Sequence, residues 1–347
     1  MHMYEYLFTA ILIIAMLVAS SMMVMTFPKS PSNVSEREQL KEVAQKIMTQ
    51  LLINPGEPPE WGSDITLDAS GIVMLGLAAY SYTTREAYVL DPDKVLRLNS
   101  LLQNFKPALY IQPQDANHLL NLGNDYGFKI EFYPVLNVTV DLDNYKVKVT
   151  SNYNGLPITG AKLVARLYYL DGSSQIVRTQ LKTGITDYAG ECILNFSEVS
   201  TDKKVLTLVV EYFGIQITTV VTSQNVIDAC FLGNYLLLNP SLSLSENNVL
   251  EIYITKEGNG QFTIKDIAYN IAEMNDGQYQ LSYIEPSTKA ILAVSNDNLI
   301  CAVKEIPESY ASISGDAFIP FAYSVERTVL IDNTLWIVRL YVWRMSW

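Results

Sequence analysis

The sequence has little of what most enzymes and metal sites use. Its two histidines, His2 and His118, lie in unrelated contexts, so a histidine-based zinc site or a Ser-His-Asp triad has no support. The motifs G-x-S-x-G, H-E-x-x-H, G-x-G-x-x-G and the P-loop are also missing. We predict that the protein is not an enzyme and that it holds no cofactor or metal. A hydrolase remains the alternative, because a carboxylate pair brought together only by folding leaves no motif.

Basic residues and cysteines are also scarce. Lys and Arg number 24 against 36 Asp and Glu, which gives a net charge of -12. No stretch forms a basic patch, so nucleic acid is not a predicted partner. Cys192, Cys230 and Cys301 each lie among apolar neighbours. This favours three buried thiols over one disulfide with a spare thiol.

The longest stretch without a charge is Tyr6–Phe27, which contains 22 residues. A helix of roughly 20 apolar residues spans the hydrocarbon core of a bilayer. No Lys or Arg precedes the stretch, and it is longer than the ~7–15 apolar residues of a signal peptide. We therefore predict a retained single-pass anchor within residues 1–34, with the lipid bilayer as partner through residues 6–27.

Two signals conflict on the orientation of this anchor. Basic residues follow the span and none precedes it, which taken alone would place the bulk of the chain in the cytoplasm. Three Asn-X-Ser/Thr sequons, at Asn33, Asn137 and Asn195, instead suit an outer surface and are candidate glycosylation sites. We predict a cell-membrane protein whose larger part is extracytoplasmic.

Residues 35–135 read as an amphipathic helix followed by a small α+β region. The Ser35–Glu38 capping box predicts a helix start, and Asn54-Pro55-Gly56 predicts its end. Asp91-Pro92-Asp93 has the residues of a second helix start, and capping explains both carboxylates without a metal. A third helix is predicted over Pro113–Gly123, with Gln114 or Asp115 as its cap.

The remaining chain reads as β-structure. Residues 136–222 contain short alternating strands separated by turn residues, which is typical of a β-sandwich. Residues 223–347 read as a further antiparallel region, with hairpin turns predicted at Asn275-Asp276-Gly277 and at Asp332-Asn333. The predicted fold class is mainly β, with one transmembrane helix and an N-terminal helical part.

Within the sandwich region, two turn motifs carry a resemblance. A Pro-x-x-Gly-Ala turn (Pro157, Gly160, Ala161) is followed by a Thr-Asp-x-x-Gly turn (Thr186, Asp187, Gly190). This pattern, over about Asp141–Thr222, resembles Ig-like modules of surface proteins. An Asp that caps the turn and a Gly with positive φ give the second motif its physical basis.

A second resemblance covers Leu51–Phe132, with LLINPGEPPEWG, GLA at Gly76–Ala78, YVLDPDKVLRLN and LLNLGNDYGFKIEF as its motifs. These motifs resemble archaeal surface proteins with a pilin-like N terminus. In that family the N-terminal helix is the assembly core and an early glutamate matters for subunit addition, a role that Glu5 matches by position. No basic leader precedes Glu5, so an interfacial carboxylate is the competing interpretation. Ala15 and Ala19, four residues apart, could allow close approach of another helix.

These observations leave three functions in competition. The first is a membrane-anchored, pilin-like surface subunit that assembles with itself or with related subunits. The second is a monomeric anchored protein for adhesion or ligand binding that uses the Ig-like module. The third, an anchored hydrolase, has the least support.

Overall fold

The structure is a computed structural model that describes Met16 and residues 30–80, 87–170, 177–197, 199, 201–244, 248–258, 260–274, 277–312 and 321–345. Its helices are α1 (Ser30–Ile53), α2 (Pro92–Leu96) and α3 (Pro113–Leu119). Single 3-10 turns lie at Ala69–Gly71, Ser100–Asn104 and Pro107–Leu109. No helix within the described residues is long and apolar enough to cross a membrane. The predicted span Tyr6–Phe27 lies, apart from Met16, outside these residues.

Strands make up 48% of the structure and helices 15%, which confirms the mainly β prediction. In chain order the strands are β1 (Val89–Leu90), β2 (Tyr126–Pro134), β3 (Leu136–Asp141), β4 (Lys146–Ser151), β5 (Lys162–Leu170), β6 (Val177–Ile185), β7 (Glu191–Ile193), β8 (Lys204–Tyr212), β9 (Ile215–Thr222), β10 (Ile227–Leu232), β11 (Tyr235–Leu237), β12 (Asn248–Lys256), β13 (Phe262–Asn270), β14 (Ala272–Glu273), β15 (Gln278–Gln280), β16 (Thr288–Ser295), β17 (Asn298–Val303), β18 (Ser309–Ala311), β19 (Ala322–Ile331) and β20 (Thr334–Arg344).

One sheet, here called the base sheet, joins both ends of the described chain. Its order is β1-β19-β20-β2-β18, and β2 pairs with β20 from Tyr126↔Arg344 to Pro134↔Trp336. Helix α1 lies across β19 and β20. Its predicted apolar stripe is buried there against Phe128, Ile130 and Leu340, with Ala44, Ile47, Met48, Leu51 and Leu52 as its buried residues.

The other three sheets form a stack of layers. The three-stranded sheet β3-β4-β7 faces the four-stranded sheet β6-β5-β8-β9 across one core. This confirms the predicted β-sandwich. The opposite face of the four-stranded sheet is also covered, because Tyr168, Val205 and Val209 pack on the eight-stranded sheet β13-β12-β16-β17-β10-β11-β15-β14. Strand β8 is therefore buried along most of its length.

The irregular segment between α1 and α2 is held by two buried cations of α2 and the turn after it. Lys94 Nζ donates to Pro55 O (2.9 Å) and Ala78 O (2.8 Å). Arg97 donates to Leu109 O (Nε, 2.9 Å), to Leu67 O (Nη2, 2.5 Å) and to Trp61 O. Four of these carbonyls belong to the segment, which has little regular structure to pair them, and the fifth, that of Leu109, lies beyond α2. Trp61 is buried beneath the Arg97 guanidinium, whose carbon lies 5.3 Å from the centre of the ring.

Several local predictions are confirmed. Helix α1 ends at Ile53, directly before Asn54, and Asp91 caps α2 by accepting from Asp93 N (2.9 Å) with Pro92 at its start. Asp187 Oδ1 accepts from Ala189 N and Glu191 N, and Gly190 has φ +74°. The hairpin turn at Asp332-Asn333 joins β19 to β20.

Three predictions need correction. Helix α1 begins at Ser30 and not at Ser35, because Pro31 lies in the first turn, where a helix needs no N–H donor. Helix α3 ends at Leu119 and is preceded by Gln112, so neither Gln114 nor Asp115 is its cap. The region 223–347 is divided between two sheets, because β18, β19 and β20 pair in the base sheet with β2 rather than with β10–β17.

Candidate functional site

Two ion pairs mark the place where the base sheet, the sandwich and the eight-stranded sheet meet. The Asp91 cap starts α2 so that Asp93 reaches Lys304, just after β17, with Nζ 2.7 Å from Oδ1. Lys289 on β16 reaches the β19–β20 turn, with Nζ 2.5 Å from Asp332 Oδ2 and 2.7 Å from Asp332 O. Each pair joins the eight-stranded sheet to the unit built on the base sheet.

Burial shapes the electrostatics of these charges. Loss of water raises the pKa of Asp332, against the pull of Lys289 and Lys304 in the opposite direction. The same loss of water lowers the pKa of Lys289, which Asp332 opposes. Burial, and then the neighbouring Asp93, raises the pKa of Asp91. Each charge therefore depends on its partners to remain ionised.

A cleft of about 810 Å³ opens beside these pairs. Its walls come from the end of β2 with Trp336 of β20, from β9 with Asn137 and Asn152 of the sandwich, and from the end of β17 with its following loop. Ligand pockets for small molecules measure roughly 300–1,000 Å³. The cleft is thus large enough for a small ligand, and three structural units contribute to it.

The lining of the cleft combines aromatic, hydroxyl, amide and charged groups. Tyr133 and Trp336 are half-buried, threonines of β9 also line the cleft, and Lys289, Lys304 and Glu305 form its charged side. On that side burial raises the pKa of Glu305, and Asp228 and Glu308 add to the increase by repulsion. This lining suits an oxygen-rich ligand with one apolar face, because hydroxyls and amides supply hydrogen bonds while aromatic rings supply contact area.

The predicted site residues fall in different places. Glu5, Ala15 and Ala19 lie outside the described residues. Asn33 is part of helix α1. Asn137 is exposed on β3, where it lines the cleft, and Asn195 is exposed in the segment after β7. The structure therefore brings one of the three sequons to the cleft and does not bring the candidate residues together.

The cysteines are thiols rather than disulfides. All three thiols are free, with Cys230 and Cys301 buried and Cys192 half-buried. Burial raises the pKa of the Cys230 and Cys301 thiols, which keeps them protonated and unreactive. Within the described residues, no three His, Cys, Asp or Glu side chains are grouped as a metal site requires.

Sequence reasoning missed the lysines of the cleft. Lys289 is the single charge in the strand sequence TKAILAVS, and a lone cation among apolar strand residues is a signal for a buried pair. The sequence around its partner Asp332 predicts a hairpin turn and gives no sign of the ion pair. No protein-family model, curated protein or solved structure matches this chain.

Proposed function

We propose that the protein is a membrane-anchored, extracytoplasmic surface protein, a pilin-like subunit that assembles through its N-terminal helix. The position of α1 carries this proposal. The helix starts at Ser30, close behind the apolar stretch Tyr6–Phe27, and its second half is buried on the base sheet. One helix thus supports a direct connection between a membrane anchor and the centre of the folded chain.

The first part of the described helix supports a role in assembly. Residues 36–39 are exposed and carry the charged side chains Glu36, Arg37 and Glu38. Charges of both signs on one helical segment can pair with those of a neighbouring copy. In this proposal Glu5, Ala15 and Ala19 form the part of the contact within the membrane.

The layered β-structure supports the remainder of the proposal. Sheet β3-β4-β7 facing β6-β5-β8-β9 supports an Ig-like assignment for residues 136–222. The two exposed sequons at Asn137 and Asn195 lie on this module. We assign it, with the eight-stranded sheet, to the part of the protein that the base sheet separates from the anchor.

The orientation is tested with intact cells. Added protease is expected to release a large soluble fragment, and Asn137→Gln and Asn195→Gln are each expected to lower the mass of the mature chain by one glycan. Ser35→Ala, which removes the Asn33 sequon, tests the third site. Full protection of the chain, together with unmodified asparagines, would refute the extracytoplasmic placement.

The assembly is tested by crosslinking in native membranes and in sheared surface filaments. Ala15→Cys and Ala19→Cys are expected to give crosslinked multimers, because small residues mark the face where helices approach closely. Leu17→Cys, about half a turn away on the helix, is the matched control and should crosslink less. Equal crosslinking at all three positions, with no protein in the filament fraction, would refute the pilin-like role.

The cleft favours a second candidate, a monomeric anchored protein for ligand binding or adhesion. One of its walls is strand β9 of the proposed Ig-like module. Soluble oligosaccharides are the appropriate first probes, because the lining offers rings, hydroxyls and amides. Binding that quenches Trp fluorescence in the wild type, but not in Trp336→Phe, would support this candidate. Absence of binding across an oligosaccharide panel would count against it.

A further inference from the structure

One end of the sandwich exposes an unusual amount of aromatic surface. Phe213, Tyr188 and Tyr153 are the most exposed large hydrophobic side chains of the described residues, at 88%, 86% and 85%. They lie on the three connections β8–β9, β6–β7 and β4–β5. We call residues 152–161, 186–190 and 213–214 the loop end.

The strand register places these connections together. Lys162, at the start of β5, pairs with Ile185 at the end of β6 and with Glu211 near the end of β8. The β4–β5 and β6–β7 connections also touch, because Thr186 Oγ1 donates to Ile158 O (2.6 Å) and accepts from Ala161 N (2.8 Å). The three rings therefore share one end of the four-stranded sheet.

Folding alone does not explain the residue at the tip of the β8–β9 turn. Phe213 has φ +46°, a conformation that bulky side chains rarely adopt and that favours Gly, Asn or Asp. Two other two-residue turns of the chain, Asn296-Asp297 and Asp332-Asn333, also have positive φ at both residues and use those favoured residues. The Phe213 ring contacts the Tyr212 ring (4.6 Å between centres) but stays exposed. An aromatic ring is thus kept at a strained position where it gains little within the chain.

The loop end is also almost free of charge. Of its 17 residues only Asp187 is charged, and its carboxylate is occupied by two backbone N–H groups of the turn. The whole chain carries a net charge of -12, so most of its surface repels a second copy. The loop end lacks this repulsion, and it also lacks the Lys and Arg that an anionic membrane surface would attract.

We propose that the loop end is the contact between two copies of this chain, related by a two-fold axis. Each buried aromatic side chain contributes roughly 150–250 Å², so three rings supply about 450–750 Å² per copy. A standard interface buries about 800 Å² per partner. The neighbouring Leu156 and Ile185, both exposed, supply further apolar area. A two-fold contact brings the same uncharged surface from both copies together.

The test uses the full chain in detergent, with the mass of the protein measured by sedimentation across a range of concentrations. The wild type is expected to pass from one to two chains as concentration rises. Phe213→Asn is expected to weaken this association at least tenfold while keeping or raising the melting temperature, because Asn suits the turn better. A purely structural role of Phe213 would lower the melting temperature instead.

Two controls make the result decisive. The triple variant Tyr153→Ser, Tyr188→Ser and Phe213→Asn should be monomeric. A control triple variant removes exposed apolar residues elsewhere and should dimerise like the wild type; it combines Val73→Ser, Leu101→Ser and Tyr283→Ser. A wild type that stays monomeric, or a loop-end triple variant that still dimerises, would overturn the proposal. Crosslinks of Ala15→Cys and Ala19→Cys, compared with the Leu17→Cys control, report helix assembly separately, so failure at the loop end leaves that question unaffected.

Discussion

The molecule buries cations in two regions, and the partners differ. Lys94 and Arg97 lie inside the unit built on the base sheet and donate to neutral backbone carbonyls. Among the described residues, the one carboxylate within ion-pair distance of Lys94 Nζ is Asp91 Oδ2, at the longer separation of 3.8 Å. Lys289 and Lys304 lie at the junction of units and pair with the carboxylates of Asp332 and Asp93. The comparison separates two uses of a buried charge: fixing an irregular segment and joining separate sheets.

The two solutions differ in what disturbs them. A carbonyl is not neutralised by acid, so a fall in pH does not break the bonds of Lys94 and Arg97. Loss of water lowers the pKa of Arg97 to about 10, against the pull of Asp64 and Asp68, and so leaves this group charged at neutral pH. A carboxylate takes up a proton, so the junction pairs respond to pH. The bonds of Lys94 and Arg97 should therefore contribute most to the free energy of unfolding, and the junction pairs should decide how that free energy depends on pH.

The largest expected effect is that of Arg97→Met. The change leaves three carbonyls of a buried segment without their donor, and each unsatisfied buried group costs about 1–3 kcal/mol. We expect the free energy of unfolding to fall by about 4 kcal/mol, measured by denaturant titration. Arg327→Met, at an exposed position of β19, is the control and should change it little. Equal losses in the two variants would end the distinction between the regions.

A smaller effect is expected when one junction pair is broken. Lys289→Met leaves the Asp332 carboxylate without its cation, and removing one partner of a buried pair costs about 3 kcal/mol. Adding Asp332→Asn, which keeps a residue suited to the positive φ of the turn, should recover about 1–2 kcal/mol of this loss. Denaturant titrations of the wild type, the two single variants and the double variant give the interaction energy between the two side chains. Additive losses would show that the two side chains do not interact.

The pH dependence sharpens the same comparison. Burial raises the pKa of Asp332 above its ordinary value of 3.8, so the folded chain binds this proton more readily than the unfolded chain. Stability from this group is therefore present at low pH and is lost as pH rises through the folded pKa. Lys289→Met removes the opposing cation and so raises the pKa of Asp332 further. The loss in free energy of unfolding of this variant, relative to wild type, should therefore become smaller between neutral pH and about pH 4. Melting curves should show a smaller narrowing for Arg97→Met, because only the pull of Asp64 and Asp68 on this guanidinium is lost in acid.

The smallest expected effect comes from a cation at the surface. Arg339 contacts Glu326 Oε2 through Nε (3.0 Å) and Nη2 (2.7 Å), and both side chains are more than a third exposed. Water weakens such a pair, so Glu326→Gln should lower the free energy of unfolding by about 0.5 kcal/mol or less. A loss as large as that of Lys289→Met would show that the contribution of these ion pairs to stability does not depend on their exposure.

The features that the sequence predicted are those with a local cause. Asp187 and Gly190 satisfy one turn, Asp91 caps the next few residues, and Asp332-Asn333 fits one hairpin. Each depends on residues close in the chain. The alternating strands of 136–222 likewise predicted a sandwich, because period-two alternation reports a half-buried sheet.

The junction could not be predicted for the opposite reason. The base sheet pairs β2 with β20, some two hundred residues later, and the cleft forms only once that pairing has brought three units together. A capping pattern also does not show which side chains of a helix and of the turn after it are buried. Lys94 in α2 and Arg97 directly after it are both buried.

The pairing of β2 with β20 has a consequence for how this chain can change. The chain leaves the base after Pro134 and returns before β18, and Phe132 N donates to Glu308 O at 3.0 Å, so the exit and the return lie side by side. Everything between them is an insertion with neighbouring ends, the arrangement that tolerates replacement of a whole domain. Evolution or a protein engineer could thus exchange the outer layers for others while keeping the helix and the sheet on which it lies.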